Sequence, residues 1–248
     1  MKVKKRYAVC AAILLAVIGI AGWNIGSELL EYRAGARTYE EMARIFRHES
    51  PQDDEPAGET APVRDFAALQ AINPDIVAWV TVPGTAIDYP VVQGEDNSYY
   101  LRRLVTGEWN SAGSIFLDYR CAPDFSDPYN IIYGHNMHNG SMFFSLMQYK
   151  TQDFYEQHPK GILETPDAQY EIRFFSGFVA DVNHPVWDTE VSAEEVPAWA
   201  AEMQRQSYFQ SSVIPSDGDA IITLATCSYE FNNARFVLLG VLEKTSGA

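Results

Sequence analysis

From Val77 onward the chain is cut into short apolar runs, rich in β-branched and aromatic residues, with turn residues between them. The runs are VAWVTV (77–82), IDYPVV (87–92), SIFLDY (114–119), YNIIYGH (129–135), QYEIRFFSGFVADV (169–182), DAIITLATC (219–227) and RFVLLGVLEK (235–244). Short strands at such spacing predict an antiparallel barrel or sandwich rather than a parallel sheet alternating with helices. Two helical stretches interrupt the series, at about 141–158 and 192–209. The second lies within an insertion from Asn183 to Gly218, and a connection that long in a compact β domain is often a functional wall or lid. DFAALQAINPDI (65–76) reads as a short helix with Asp65 as N-cap, so the folded domain is expected to begin near Asp65 and run to residue 248.

What precedes that domain is of a different kind. Residues 1–6 (MKVKKR) carry four positive charges, and residues 7–23 (YAVCAAILLAVIGIAGW) carry none of either sign. Seventeen helical residues rise roughly 25 Å, close to the lower limit for spanning a bilayer. The basic flank predicts a cytoplasmic segment 1–6, a single-pass signal-anchor over 7–23 and an extracellular remainder. A cleaved signal peptide is the competing reading, because Gly19 and Ala21 make a small-x-small site. Residues 24–47 read as a juxtamembrane helix, and 48–64, rich in Pro, Gly and acid, as a flexible linker. The acids of 53–55 lack the alternating ligands and glycine of a calcium loop. Net charge is −15, and without the basic hexapeptide the remainder holds 14 basic against 33 acidic residues. Such a surface repels phosphate backbones, which argues against nucleic acid as a partner.

The chemistry-bearing stretch is TLATCSYEFNNAR, 223–235. Along the strand, Ile222, Leu224 and Thr226 share one face, while Thr223, Ala225 and Cys227 share the other. Cys227 thus stands at a strand end, away from the larger apolar side chains. If 235–244 pairs back after the seven-residue connection, Arg235 lies opposite Cys227, within reach of a reacting sulfur or an oxyanion. A strand-end arginine facing water fits the spacing equally well. A thiol nucleophile wants a proton partner, usually histidine. His135, directly after an apolar run and a glycine, is the best placed of the five, although lone histidines are more often structural. His135 and His138 have no third metal ligand in sight, and no metal or organic cofactor is indicated. Cys10 is a poor lipidation site. Cys121 is either a spare thiol or the partner of Cys227 in a disulfide, which would make the chain a membrane-tethered binding module without catalysis.

TLATC followed by Arg235, with YGHNM upstream, resembles the signature of the sortases, the cysteine transpeptidases of Gram-positive surfaces, and specifically class B. The likeness covers Asp65 to Lys244 and includes residues 72–101 and GSIFLDYR (113–120). It implies an eight-stranded antiparallel β-barrel preceded by N-terminal helices, with a helix-bearing insertion before the cysteine strand. It further implies Cys227 as nucleophile, His135 as general acid/base and Arg235 as oxyanion or substrate-positioning residue, with Thr226 and Leu224 as candidate substrate contacts. An acid at Glu230 sits where some relatives carry one thought to orient the histidine, but a solvated loop acid is the reading preferred here. The implied reaction cleaves a C-terminal sorting motif of another exported protein after threonine, through a thioacyl-enzyme. The acyl group then passes to an amine of a lipid-linked peptidoglycan precursor or of a pilin, or to water in a hydrolytic variant.

Overall fold

The computed structural model describes residues 2–47 and 65–247. Helix α1 (Lys2–Phe46) precedes α2 (Phe66–Ile72), whose N-cap is Asp65, its carboxylate accepting from Ala68 N at 2.8 Å. Strands β1 (Ile76–Thr81), β2 (Asp88–Val92), β3 (Ile115–Leu117) and β4 (Tyr129–Tyr133) follow. After α3 (Gln152–Gln157) come β5 (Lys160–Glu164) and β6 (Ala168–Ala180), then α4 (Val196–Gln204), β7 (Ala220–Cys227) and β8 (Arg235–Gly247).

The eight strands close into a barrel in the order β1-β2-β3-β4-β7-β8-β6-β5. The expected closed barrel is there, but it is not antiparallel throughout: β2 pairs with β3, and β4 with β7, in parallel. A parallel neighbour needs a long crossover. For β4 and β7 that crossover is everything from Gly134 to Asp219, and it sends both strands to the same barrel rim.

Alternation on the last two strands divides the core. Ile222, Leu224, Phe236 and Leu238 join the cluster inside the barrel with Ala78 and Val80. Ile221, Ala225, Val237 and Leu239 face outward into a second cluster, closed by Phe178, Val186, Ala200 and Met203. Both faces of the β7–β8 hairpin are therefore covered, as its unbroken apolar composition requires. The 183–218 insertion, through α4, supplies that outer cover.

Two helical expectations change in detail. The stretch 141–158 is a 3₁₀ helix, Phe144–Lys150, followed by the separate α3, with Thr151 extended between them. Phe143, Leu146 and Tyr149, all fully buried, recur every third residue, the period of a 3₁₀ helix rather than an α-helix. Helix α1 runs unbroken to Phe46, and its last turns are part of the domain. Phe46 stacks on Trp79 with ring centroids 4.4 Å apart, and Tyr39 donates to Gly113 O. Arg47 pairs with Asp88, whose other carboxylate oxygen accepts from Trp79 Nε1 at 2.7 Å. The expected linker 48–64 lies outside the described residues. Its two flanks meet, since Asp65 N donates to Phe46 O at 3.2 Å.

Candidate active site

Three strand ends build the site. The last β4–β7 register pair is Tyr133 with Ala225, so two residues further along the parallel seam His135 stands abreast of Cys227. The first residue of β8, Arg235, is the register partner of Cys227. Hydrogen bonds fix the seam beyond the strands: Gly134 N donates to Ala225 O (3.0 Å), Thr226 Oγ1 to Gly134 O (2.8 Å) and Asn136 Nδ2 to Cys227 O (3.0 Å). Gly134 has a packing reason to lack a side chain, because a Cβ there would lie 2.4 Å from Ile115 Cδ1 and 2.7 Å from Phe143 Cδ2. That closeness lets the β4 strand pack against Ile115 and Phe143 as it carries His135 to the rim.

The sulfur, the imidazole and the guanidinium line one groove of about 250 Å³, with Asn97, Leu101, Phe116 and Tyr133 as further walls. Cys227 is a free thiol and partly exposed. His135 Nε2 lies 2.6 Å from Leu101 O, and since a carbonyl only accepts, that nitrogen donates. Arg235 donates to Ala234 O at 3.0 Å and has no ion-pair partner among the described residues, so its charge is available to the groove. Of the other histidines, His158 and His184 are bonded to Pro83 O and Gln206, and His48 lies outside the described residues.

Several expectations need correction. Leu224, a candidate substrate contact, is wholly buried in the barrel because its face of β7 points inward. Thr226 borders the groove but is 2% exposed and spends its hydroxyl on Gly134 O, which ties β7 to the histidine strand. The Cys121–Cys227 bridge does not form: both thiols are free, and Cys121 Sγ lies by Tyr129 O at the opposite end of β4. Tyr129 pairs with Ile221, six residues before Cys227, roughly 20 Å away at strand rise. A disulfide tolerates only about 7 Å between α-carbons. No residue of the 183–218 insertion lines this groove directly. The insertion reaches the margin through Trp187, which stacks on Tyr133 at 6.3 Å between centroids. Glu230 pairs with Lys150 and accepts from Ser228 Oγ. Burial pushes its carboxyl up, but those two hydrogen bonds outweigh it and bring it down to about 2.

One element of the site was not read from the sequence. Asp118, fully buried, accepts two bonds from the Arg120 guanidinium (2.9 and 2.8 Å), one from Asn97 Nδ2 (3.0 Å) and one from Tyr133 OH (3.0 Å). Burial opposes its ionisation, but the Arg120 and Asn97 bonds prevail and hold it below the usual carboxylate range. Two of its donors, Asn97 and Tyr133, are groove walls. The available signal was the D-x-R at the end of GSIFLDYR.

A model of the sortase domain matches residues 80–243. The chain belongs to the sortase family. Its relatives place it in class B: it is 35% identical to sortase B of Listeria monocytogenes over 93% of this chain and 94% of that one. To sortase B of Staphylococcus aureus it is 28% identical over 99% and 100%. Among solved structures, a Staphylococcus aureus sortase B–substrate complex superposes with a TM-score of 0.77 at 29% identity, covering 88% of this chain and all of that one. Sortase B of Bacillus anthracis, in complex with AAEK1, gives 0.74 at 33%, over 88% and 100%. This sortase is accordingly a cysteine transpeptidase.

Proposed function

We propose that this sortase is a membrane-anchored transpeptidase that cleaves a C-terminal sorting motif after threonine and transfers the protein to a cell-wall amine. The observation that carries the reading is the register: Cys227, His135 and Arg235 end three adjacent strands around one open groove. Cys227 Sγ attacks the carbonyl carbon after threonine, and Arg235 faces the oxyanion, where a preorganised donor acts most strongly. His135 protonates the leaving amine, so that the C–N bond breaks and a thioester to Cys227 remains. An incoming amine gives its proton to His135, attacks the thioester and returns the sulfur. Helix α1, long and apolar enough over Leu14–Phe46 to cross a membrane, is the anchor, with its basic end inside. Because α1 is docked on the barrel, the groove is held near the bilayer where membrane-bound donors and acceptors meet it. A sorting peptide that acylates the full chain, incubated with and without triglycine, tests the reading. The expected product with triglycine is the peptide's acyl half joined to triglycine. Hydrolysed peptide alone, whatever amine is offered, would point to a peptidase and contradict transfer.

A further inference from the structure

Residues 228–234 join Cys227 to Arg235, and Tyr229 to Asn233 within that loop are all exposed. At its base Ser228 N donates to Ala234 O at 2.9 Å, and Ala234 N donates to Phe231 O at 3.2 Å. Asn233 completes the turn at a φ of 62°, a left-handed conformation that asparagine tolerates better than most residues. Two side chains tie the exposed part of the loop to the rest of the site. Tyr229 stacks on His138 with ring centroids 6.4 Å apart, and Glu230 pairs with Lys150 at the end of the 3₁₀ segment. The other carboxylate oxygen of Glu230 accepts from Ser228 Oγ, and Ser228 is 4% exposed and directly follows the nucleophile. Lys150 is itself mostly covered, its ammonium 5.8 Å from the ring centroid of Phe236, the residue after Arg235. The 3₁₀ segment is in turn bonded to the histidine, since Phe143 N donates to His135 O at 2.9 Å.

The guanidinium moves with this loop. Ala234 O accepts both from Ser228 N and from Arg235 Nη1, so one loop carbonyl links the residue after the sulfur to the arginine. We infer that Glu230 is a positioning residue for the reaction: its bridge to Lys150, closed through Ser228, holds the guanidinium of Arg235 beside the sulfur of Cys227. The inference rests on the transpeptidase reading above, in which Arg235 faces the oxyanion. Glu230 itself lines neither the groove nor the sulfur. Its carboxyl, down at about 2, stays ionised across the neutral range, so the bridge persists wherever the enzyme works. An oxyanion donor must be in place before the charge develops, so a loop released from Lys150 loses rate rather than peptide binding.

Alkylation of Cys227 tests the placement without a substrate. The Cys10→Ser full chain in neutral detergent is treated at pH 8 with iodoacetate and, separately, with iodoacetamide. Cys121, buried and protonated, stays out of the reaction. The anionic reagent is favoured by a guanidinium beside the sulfur, the neutral one is not, and Arg235→Gln gives the floor of the rate ratio. Glu230→Gln deletes a negative charge, so a role through its field alone would raise the iodoacetate-to-iodoacetamide ratio. Lost placement lowers it, and a fall of about three-fold is expected with the melting temperature held, the size set by a partly exposed ion pair. In turnover, Glu230→Gln should lower kcat for the sorting peptide about five-fold at constant KM, and the reversed pair Lys150→Glu/Glu230→Lys should recover most of it. A ratio unchanged or raised, or a reversed pair no better than Glu230→Gln, would overturn the positioning role. No acyl-enzyme on the wild-type chain would instead overturn the transpeptidase reading, while the alkylation ratio would still decide whether the bridge places the arginine.

Discussion

Cys121 and Cys227 are the same side chain in opposite surroundings. Burial pushes the Cys121 thiol up to about 11, with no cationic group strong enough to offset it, whereas Cys227 opens into a groove beside Arg235. Only thiolate reacts with disulfide reagents, and below pH ~9 Cys121 stays protonated and covered. A Cys10→Ser full-length chain should therefore release one equivalent of thiol promptly to a disulfide reagent at pH 8, and a second only after denaturation. Two prompt equivalents would contradict the assigned environments. Asp118 is a subtler case, holding two groove walls without touching the groove's chemistry. Asp118→Asn removes the charge that Arg120 pairs with, and should cost about 2–3 kcal/mol, since one partner is fully buried and the other partly exposed. It should also raise KM for the sorting peptide more than it lowers kcat; a loss confined to kcat would argue that the network does not shape the groove. Cys227, His135 and Arg235 each close or open a local apolar run, which made them candidates in the sequence, but the roles expected of them there came from the sortase resemblance. Asp118 was not legible, because Asn97 and Tyr133 reach it only after β2, β3 and β4 have been laid side by side.

At the scale of elements, α1 carries the main departure from expectation. Tyr39, Met42 and Phe46 recur three and four residues apart, so an apolar stripe was readable, but its target was not. That target is the outer end of β1 and β2, formed by Trp79, Tyr89 and Asp88, which are assembled only when the strands pair. Phe46 is 1% exposed, and Phe46→Ala should destabilise the domain by about 3 kcal/mol. Thermal unfolding with limited proteolysis checks this: the variant should melt earlier and be cleaved within residues 33–47. An unchanged melt would mean that α1 is not docked. The 3₁₀ segment 144–150 shows the same limit from another side. Its period-three pattern of Phe143, Leu146 and Tyr149 was in the sequence, yet it falls close enough to helical spacing to be read as one long α-helix.

For the whole molecule, the decisive feature is the pair of parallel seams in an otherwise antiparallel barrel. The β4–β7 seam sends the histidine and cysteine strands to the same rim, and the β7–β8 hairpin brings the arginine back to it. The spacing of the apolar runs pointed to a barrel or sandwich; the count of eight strands and the choice of a barrel came from the sortase resemblance, since β5 is not among those runs. The parallel seams were not legible, because strand order is set by long-range pairing that no local run encodes. Helix α1 carries both the stretch long and apolar enough to cross a membrane and the turns docked on β1 and β2, so that on the proposed reading anchor and barrel share one continuous helix. The most direct test of the account is to locate the covalent intermediate. Full-length chain mixed with a sorting peptide, quenched in acid and digested, should carry the peptide's acyl half as a thioester on Cys227, and Cys227→Ala should carry none and turn nothing over. An acyl group on any other residue, or turnover surviving in Cys227→Ala, would contradict the account.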